Sequence, residues 1–526
     1  MKMELKPRPC DAPWRFYEKP EGTIEYRQII DGWLRTWQEY VPSCYDGREP
    51  VPLVLSLHGA AHHSADSYTA WQLIAERENF IVVYPHSLIE EIKFNVWEAF
   101  GPDDGMPDDV QYIDRLIDII CGKYNIDPGR IYMQGQSVGD NMASTYLFVH
   151  GDRIAAAAPL SGPASCSTFY HRGEEKPYRY PHCAVPVIRT HGSEDTQQPL
   201  GGLGKICIMS PSGEEKPKDL SDTARYNKWA IGQRPSLELW KSANGCDSLP
   251  RLGLRGRYSW AVYAGQPCDL IYYVVEGGEH GPYLDMADNI WTYFFSHYRR
   301  VGGKAERIAG GKSVEPDSGA IALADGAALA YVDNRPVQLD GDGRTARAVN
   351  GSCYVPAGFL EKAFPGARVL PYNDGKAIRM RIGGNELQAA MGNRCVVWNE
   401  SLRDMPTTMF FDGCLYLPIA PLAELVLGFK ESAGRGAYYL NAFGGAMSFD
   451  FSCIIKELLG TQRALSVEET LDLEDSLRRS GNMEYAPHNV AGDKYSGTPE
   501  EIFALLKKKY TQELENYLGQ NRRKGV

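Results

Sequence analysis

The sequence predicts an α/β protein: a doubly wound, mostly parallel sheet over its first three hundred residues, then a C-terminal α+β repeat unit and a helical tail. Three observations predict this. Short apolar runs alternate with segments of helical periodicity from Val51 to Phe295, the pattern of βαβ units. One run, Arg130-Ile131-Tyr132-Met133-Gln134, leads into Gly135-Gln136-Ser137-Val138-Gly139 and then into Asn141-Met142-Ala143-Ser144-Thr145, which reads as strand, sharp turn and helix. Past Gly302-Gly303 this alternation gives way to an internal repeat.

Composition bounds the answer. With 526 residues, 43% of them hydrophobic, the chain can bury a large core and is too long for one ordinary domain. A formal net charge of -11 without a long Lys/Arg cluster gives no basic footprint of a nucleic-acid or anionic-membrane binder, so small or neutral partners are expected. No stretch reaches the roughly 18 apolar residues of a membrane span. Met1-Lys2-Met3-Glu4-Leu5-Lys6-Pro7 lacks the apolar core of a secretory leader, so the expectation is a cytoplasmic protein, or a secreted one if a leader has been removed. The 12 cysteines contain no C-x-x-C pair; reduced thiols are expected, with no zinc site, metal or other cofactor.

Taken in order, Gly22 to Ile29 alternates like a strand and is read as an antiparallel lead-in. Val51 to Leu57 is a nearly continuous apolar run, as in a strand buried on both faces, and it ends in His58-Gly59-Ala60-Ala61. His58 is expected to hold that turn by a side-chain hydrogen bond. The adjacent His62 and His63 have no carboxylate at ligand spacing and read as a loop. A helix around Ala70-Trp71 to Glu78 and a strand from Phe80 to Pro85 follow. Between Asp109 and Tyr124, residues Val110, Ile113, Leu116, Ile117, Ile120, Cys121 and Tyr124 share one helical face. Asp127-Pro128-Gly129 is read as the turn into the strand before Ser137, and Ile154 to Ala158 as a short buried strand stopped by Pro159.

The five residues around Ser137 carry the chemistry. A serine hydroxyl is a poor nucleophile unless it is held clear of its surroundings beside a base, and the strained turn of a G-x-S-x-G elbow does this. Gly135 and Gly139 leave room for strand and helix to cross. The helix start aims backbone N–H groups at the developing oxyanion. Such an elbow needs an acid and a base later in the chain, in that order. Val185 to Ile188 leads to His191-Gly192-Ser193-Glu194-Asp195, which makes Asp195 the candidate acid, with Glu194 as its neighbouring alternative. Leu270 to Val275 leads to Glu276-Gly277-Gly278-Glu279-His280, which makes His280 the candidate base. The oxyanion donors are expected to be the N–H groups of Val138 and Ala60, with Ala61 as the alternative to Ala60. The stretch Trp291 to Phe295 closes this unit as an amphipathic helix.

With these residues in view, the chain up to residue 300 resembles the α/β-hydrolase esterases of carbohydrate esterase family one, which include feruloyl and acetylxylan esterases and related polyhydroxybutyrate depolymerases. The resemblance is carried by Leu57-His58-Gly59, Tyr124 to Tyr132, Gly135 to Gly139, His191 to Asp195, Asn244-Gly245-Cys246 and Gly278-Glu279-His280-Gly281, in that order. It implies a serine esterase acting on feruloyl or acetyl esters of plant polysaccharide, with a polyester depolymerase as the alternative and a non-catalytic surface or carbohydrate-binding protein as a third reading. Two features depart from the family. Asp140 stands where a second glycine is usual, and its charge near a forming oxyanion is an expected cost. The interval between Asp195 and His280 is long, and 199–235 is read as a lid. That segment holds no aromatic residue before Tyr226, so Trp97 is the candidate substrate-binding wall for an aromatic acyl group, with an ordinary core position as its alternative.

Beyond the catalytic unit (1–300), a linker is expected over 301–319, a β-rich repeat unit over 320–445 and a helical region over 446–526. Asn350-Gly351-Ser352-Cys353-Tyr354-Val355-Pro356 returns as Asp412-Gly413-Cys414-Leu415-Tyr416-Leu417-Pro418, and Asn334 to Val337 returns as Asn393 to Val396. The repeat resembles the stalk domain found beside the N-terminus of copper amine oxidases and in bacterial surface proteins, which implies a spacer or binding module. Ser466-Val467-Glu468-Glu469 and Thr498-Pro499-Glu500-Glu501 fit capping boxes and predict helices in the tail.

Overall fold

A computed structural model describes residues 22–59, 71–87, 97, 107–162, 181, 183–193, 195, 234–247, 249–266, 268–280, 286–308 and 314–463. The expected lid over 199–235 (apart from the start of a helix at Arg234), the loop residues Ala60 to His63 and the tail capping boxes lie outside the described residues. The first unit is a ten-stranded sheet built from β1 (Ile24–Ile30), β2 (Trp33–Tyr40), β3 (Val51–Leu57), β4 (Ile81–Pro85), β5 (Ile126–Gln136), β6 (Ala156–Leu160), β7 (Val187–Gly192), β8 (Arg251–Arg255), β9 (Tyr258–Tyr263) and β10 (Leu270–Val275). The strand order is β1-β2-β4-β3-β5-β6-β7-β10-β9-β8. Pairing is parallel from β4 through β10 and antiparallel at both margins, where β1 and β2 lead in and β8 and β9 close the far edge.

Side-chain alternation explains the double winding. Leu53, Leu55, Ile131, Met133, Val187 and Leu270 face one core with α2 (Asp109–Lys123), α3 (Val138–His150) and α4 (Arg234–Asn244). Val54, Val82, Tyr132, Ile188 and Ile271 face the opposite core with α1 (Trp71–Glu78) and α5 (Met286–Tyr293). Strands covered on both faces have no polar side to present, which is why β3 and β4 are buried along their whole length. The large central sheet fits the α/β-hydrolase pattern expected from the sequence.

Two local expectations are corrected. Asp127-Pro128-Gly129 lies within β5 rather than before it: the partner of Val51 is Ile126 and that of Leu53 is Ile131, so the three residues form an irregularity in a continuing strand. Pro159 does not stop β6, which runs on to Leu160. Proline lacks the N–H for one ladder bond, and the β6–β7 pairing breaks between Ala157 and Leu160 while the other edge keeps its pairing with β5.

The start of the segment expected as a linker lies in a hairpin. β11 (Tyr298–Val301) and β12 (Lys304–Arg307) form a hairpin closed by Gly302 and Gly303, at φ of 57° and 76°. Two consecutive residues with positive φ make the tight turn that suits the right-handed twist of paired strands. Arg300 of this hairpin donates to the carbonyls of Ile154 and Ala184 and so ties it to the main sheet.

The C-terminal unit contains three antiparallel sheets around a second core of Leu323, Val355, Leu360, Met380, Leu417, Leu422 and Leu440. The repeated sequences become the strands Ser352–Pro356 and Cys414–Pro418, each preceded by a turn at positive φ. The two copies pair with each other, Val355 opposite Leu417. Each is followed by helix, the first through a short 3-10 turn into α6 (Leu360–Ala363), the second directly into α7 (Ile419–Leu427). A last described helix, α8 (Phe449–Leu458), is capped by Ser448, whose hydroxyl accepts from the Phe451 N–H.

This unit is welded to the β8–β9 edge. Ala322, Tyr439, Phe451 and Ile454 continue the core of the first unit. The buried Asp317 carboxylate accepts from the Leu254 N–H at 2.8 Å, Asn441 Nδ2 at 2.6 Å and the Tyr439 hydroxyl at 3.2 Å.

Candidate active site

Ser137, Asp195 and His280 follow the C-terminal ends of the parallel strands β5, β7 and β10, where an open α/β sheet gathers its loops. Ser137 follows β5 with φ of 58° and ψ of -120° and begins α3. A non-glycine residue is strained in that region, and here the crossing imposes it. A Cβ on Gly135 would lie 2.0 Å from the Gly139 carbonyl oxygen, and one on Gly139 would lie 2.4 Å from the Leu57 carbonyl oxygen. Both glycines are therefore required by backbone contact. Val138 opens α3, so its N–H is among the helix-start donors that have no acceptor within the helix.

Asp195 and His280 meet. His280 Nδ1 lies 2.8 Å from Asp195 Oδ2, with Asp195 1% and His280 9% exposed. The two loops are tied to each other, since the Gly277 N–H donates to Ser193 Oγ and the Ser193 N–H donates to the Val275 carbonyl. Burial by itself would raise the Asp195 carboxyl, but hydrogen bonds from His191 and His280 outweigh it and hold the group well below the ordinary carboxylate range. With its Nδ1–H given to Asp195, His280 presents Nε2 as an acceptor. The Gln136 amide lies 3.4 Å from that nitrogen, and Ser137 Oγ makes no hydrogen bond to the ring in this geometry. Catalytic hydrogen bonds of unliganded sites are commonly long and tighten on binding.

At the end of β3, His58 Nδ1 faces the Gly59 carbonyl at 2.8 Å and its Nε2 accepts from the Ser87 N–H at 3.2 Å. Its two ring nitrogens thus hold the turn. Trp97 packs on His58, ring centroids 4.8 Å apart, and donates its indole N–H to the His58 carbonyl at 2.9 Å. At 4% exposure Trp97 braces this strand end. Ala60, the expected second oxyanion donor, lies outside the described residues.

Asp140 is held by a buried arginine and two hydrogen bonds. It lies in the first turn of α3, wholly buried, and it accepts from the Gly162 N–H at 2.8 Å and from Ser144 Oγ at 3.0 Å. Arg189 of β7 meets it at 3.3 Å. Burial pushes the Asp140 carboxyl up, opposed by Arg189, Ser144 and Gly162. The charge expected to oppose an oxyanion therefore has a buried cation beside it. Arg189, His191 and Gln136 were not singled out by sequence reasoning. The available signal was two ionisable residues spaced by two in an otherwise apolar buried strand. Among the described residues no group of three His, Cys, Asp or Glu side chains could hold a metal ion.

No protein family profile matches the chain. It is 32% identical over 271 residues to the bifunctional acetylxylan esterase/xylanase of Neocallimastix patriciarum, covering 50% of this chain and 34% of that protein. It is 32% identical over 247 residues to poly(3-hydroxyalkanoate) depolymerase C of Paucimonas lemoignei, covering 45% and 56%. It is 27% identical over 220 residues to feruloyl esterase B of Piromyces equi, covering 41% and 36%. The matches thus span between 34% and 56% of these relatives' lengths. The stalk-domain resemblance of the C-terminal unit finds no support in these comparisons. The chain is thus similar to an acetylxylan esterase/xylanase, a feruloyl esterase and a poly(3-hydroxyalkanoate) depolymerase, on a fold that fits α/β-hydrolase.

Proposed function

We propose that the protein is a carboxylic ester hydrolase that uses Ser137 as nucleophile, His280 as base and Asp195 as the acid that orients it. The observation that carries this reading is the buried Asp195–His280 pair at 2.8 Å, on the two loops that follow β7 and β10, two and three places along the sheet from the β5 strand that leads to Ser137. In this mechanism Ser137 Oγ attacks the ester carbonyl while His280 Nε2 takes its proton, and Asp195 stabilises the imidazolium. The tetrahedral oxyanion is held by the Val138 N–H and by an N–H after β3, assigned to Ala60. Collapse expels the alcohol, which takes the proton back from His280 and leaves an acyl group on Ser137. Water, deprotonated by His280, then releases the acid and restores Ser137.

Feruloyl or acetyl groups on polysaccharide are the favoured substrates, supported by the esterases among the similar proteins. A polyester depolymerase is the second reading, supported by the 32% identity to the Paucimonas protein. Hydrolysis of p-nitrophenyl acetate, methyl ferulate and a hydroxybutyrate oligomer by wild type and Ser137→Ala separates these. Ser137-dependent turnover with ferulate or acetate preferred supports the first reading, and preference for the oligomer supports the second. Absence of any Ser137-dependent turnover leaves a binding role.

A further inference from the structure

His191 stands at the end of β7, four residues before Asp195, and is wholly buried. Its Nε2 lies 3.3 Å from Asp195 Oδ2, the same oxygen that meets His280 Nδ1 at 2.8 Å. One carboxylate oxygen has two lone pairs and can accept from both rings. For Nε2 to face that oxygen favourably it must carry a proton, which neutral imidazole supplies in one tautomer. The strands beside His191 bring no charge at this level: Val274 of β10 is its register partner, and Leu160 and Ser161 flank it from the β6 side. Among the described residues, the charged and titratable groups that face it include Asp195 on its own loop, His280 through Asp195, Asp140 from α3, and Arg189 two residues earlier on its strand and bound to Asp140.

We propose that His191 is a positioning residue of this site, whose Nε2–H anchors Asp195 Oδ2 from within the sheet and takes a share of the carboxylate charge that His280 would otherwise receive alone. The proposal rests on the triad reading above. Two consequences follow from the shared oxygen. Without His191 the carboxylate loses the donor that fixes its direction, so His280 is held less firmly for proton transfer. The whole anion then acts on His280, which favours the imidazolium and withdraws the neutral base to higher pH.

The test is the pH profile of p-nitrophenyl acetate hydrolysis by wild type, His191→Leu, His191→Gln, Asp195→Asn, the double variant His191→Leu/Asp195→Asn, and Ser137→Ala. His191→Leu is expected to lower kcat about 10- to 100-fold, with a smaller change in KM, and to move the acidic limb of kcat/KM to higher pH. His191→Gln can donate to the same oxygen and is expected to recover most of kcat and the original limb. In the Asp195→Asn background, His191→Leu is expected to add little, because its effect passes through Asp195. Should His191→Leu not fold, His191→Asn takes its place, since that amide is too short to reach Oδ2. Equal losses in the Leu and Gln variants, an unmoved limb, or additive losses in the double variant would overturn the proposal. Activity that survives Ser137→Ala would instead overturn the triad reading itself.

Discussion

Arg189 grips Asp140 with both ends of its guanidinium, Nη1 to Oδ1 and Nη2 to Oδ2 at 3.3 Å each, and both side chains are buried directly behind the Ser137 elbow. A buried pair of this kind is costly to form and more costly to break, because removing one partner leaves an uncompensated charge out of water. Arg189→Leu is expected to destabilise the fold by about 3–5 kcal/mol in urea unfolding. The double variant Asp140→Gly/Arg189→Leu is expected to recover a large part of that loss. An Arg189→Leu protein as stable as wild type would show that Asp140 carries no charge in the fold.

Strain at the nucleophile predicts a trade of stability against activity. Ser137 has φ of 58°. Glycine adopts such a conformation freely, and a strained residue costs roughly 1–3 kcal/mol. Ser137→Gly is therefore expected to abolish hydrolysis while raising unfolding stability by about 1 kcal/mol. A Ser137→Gly protein less stable than Ser137→Ala would contradict strain at the elbow.

Asp195 sets a pH dependence with a definite sign. Its folded carboxyl is depressed by His191 and His280 against the effect of burial, whereas in the unfolded chain it titrates in the ordinary range. Between those two values the unfolded state binds more protons, so this contribution is fully present above the ordinary carboxylate range and is lost progressively as pH falls from that range toward the depressed folded value. Below about pH 4 the wild type is expected to lose up to about 1.4 kcal/mol per pH unit more than Asp195→Asn. Parallel stability curves for the two proteins from pH 6 to 3 would contradict a depressed Asp195.

Much of this architecture was legible because burial on both faces leaves a plain mark on a strand. The runs Val51 to Leu57 and Leu270 to Val275 could be placed from apolarity alone, and the elbow from two glycines whose contacts admit no Cβ. What was missed depends on tertiary partners. Gly302-Gly303 read as a flexible boundary, yet the turn closes a hairpin whose Arg300 anchors are two carbonyls far away in sequence. The β8–β9 hairpin was overlooked, although Tyr258, Trp260 and Val262 alternate along it. Asp140 read as an isolated charge, because its partner Arg189 lies 49 positions later on β7. His191 lies only four positions before Asp195, but that their side chains meet depends on the loop between them folding back.

The join between the two units predicts a single unfolding event. Asp317, 2% exposed, is held by groups from both sides of that join, Leu254 from β8 and Tyr439 and Asn441 from the C-terminal sheet. Asp317→Ala strands several buried donors, each worth about 1–3 kcal/mol when left unsatisfied. Scanning calorimetry of the wild type is expected to give one transition, and Asp317→Ala is expected to lower its midpoint or split it. Two well-separated transitions in the wild type would contradict a continuous core.

The most direct measurement is the intact mass of the protein after reaction with an organophosphonate ester that traps activated serines, with the adduct mapped by peptide sequencing. One adduct, located on Ser137, absent in Ser137→Ala and strongly slowed in Asp195→Asn and His280→Ala, is the expected result. Labelling at another residue, or labelling of Ser137 at the same rate without Asp195 and His280, would contradict the assignment of these three residues as one catalytic unit.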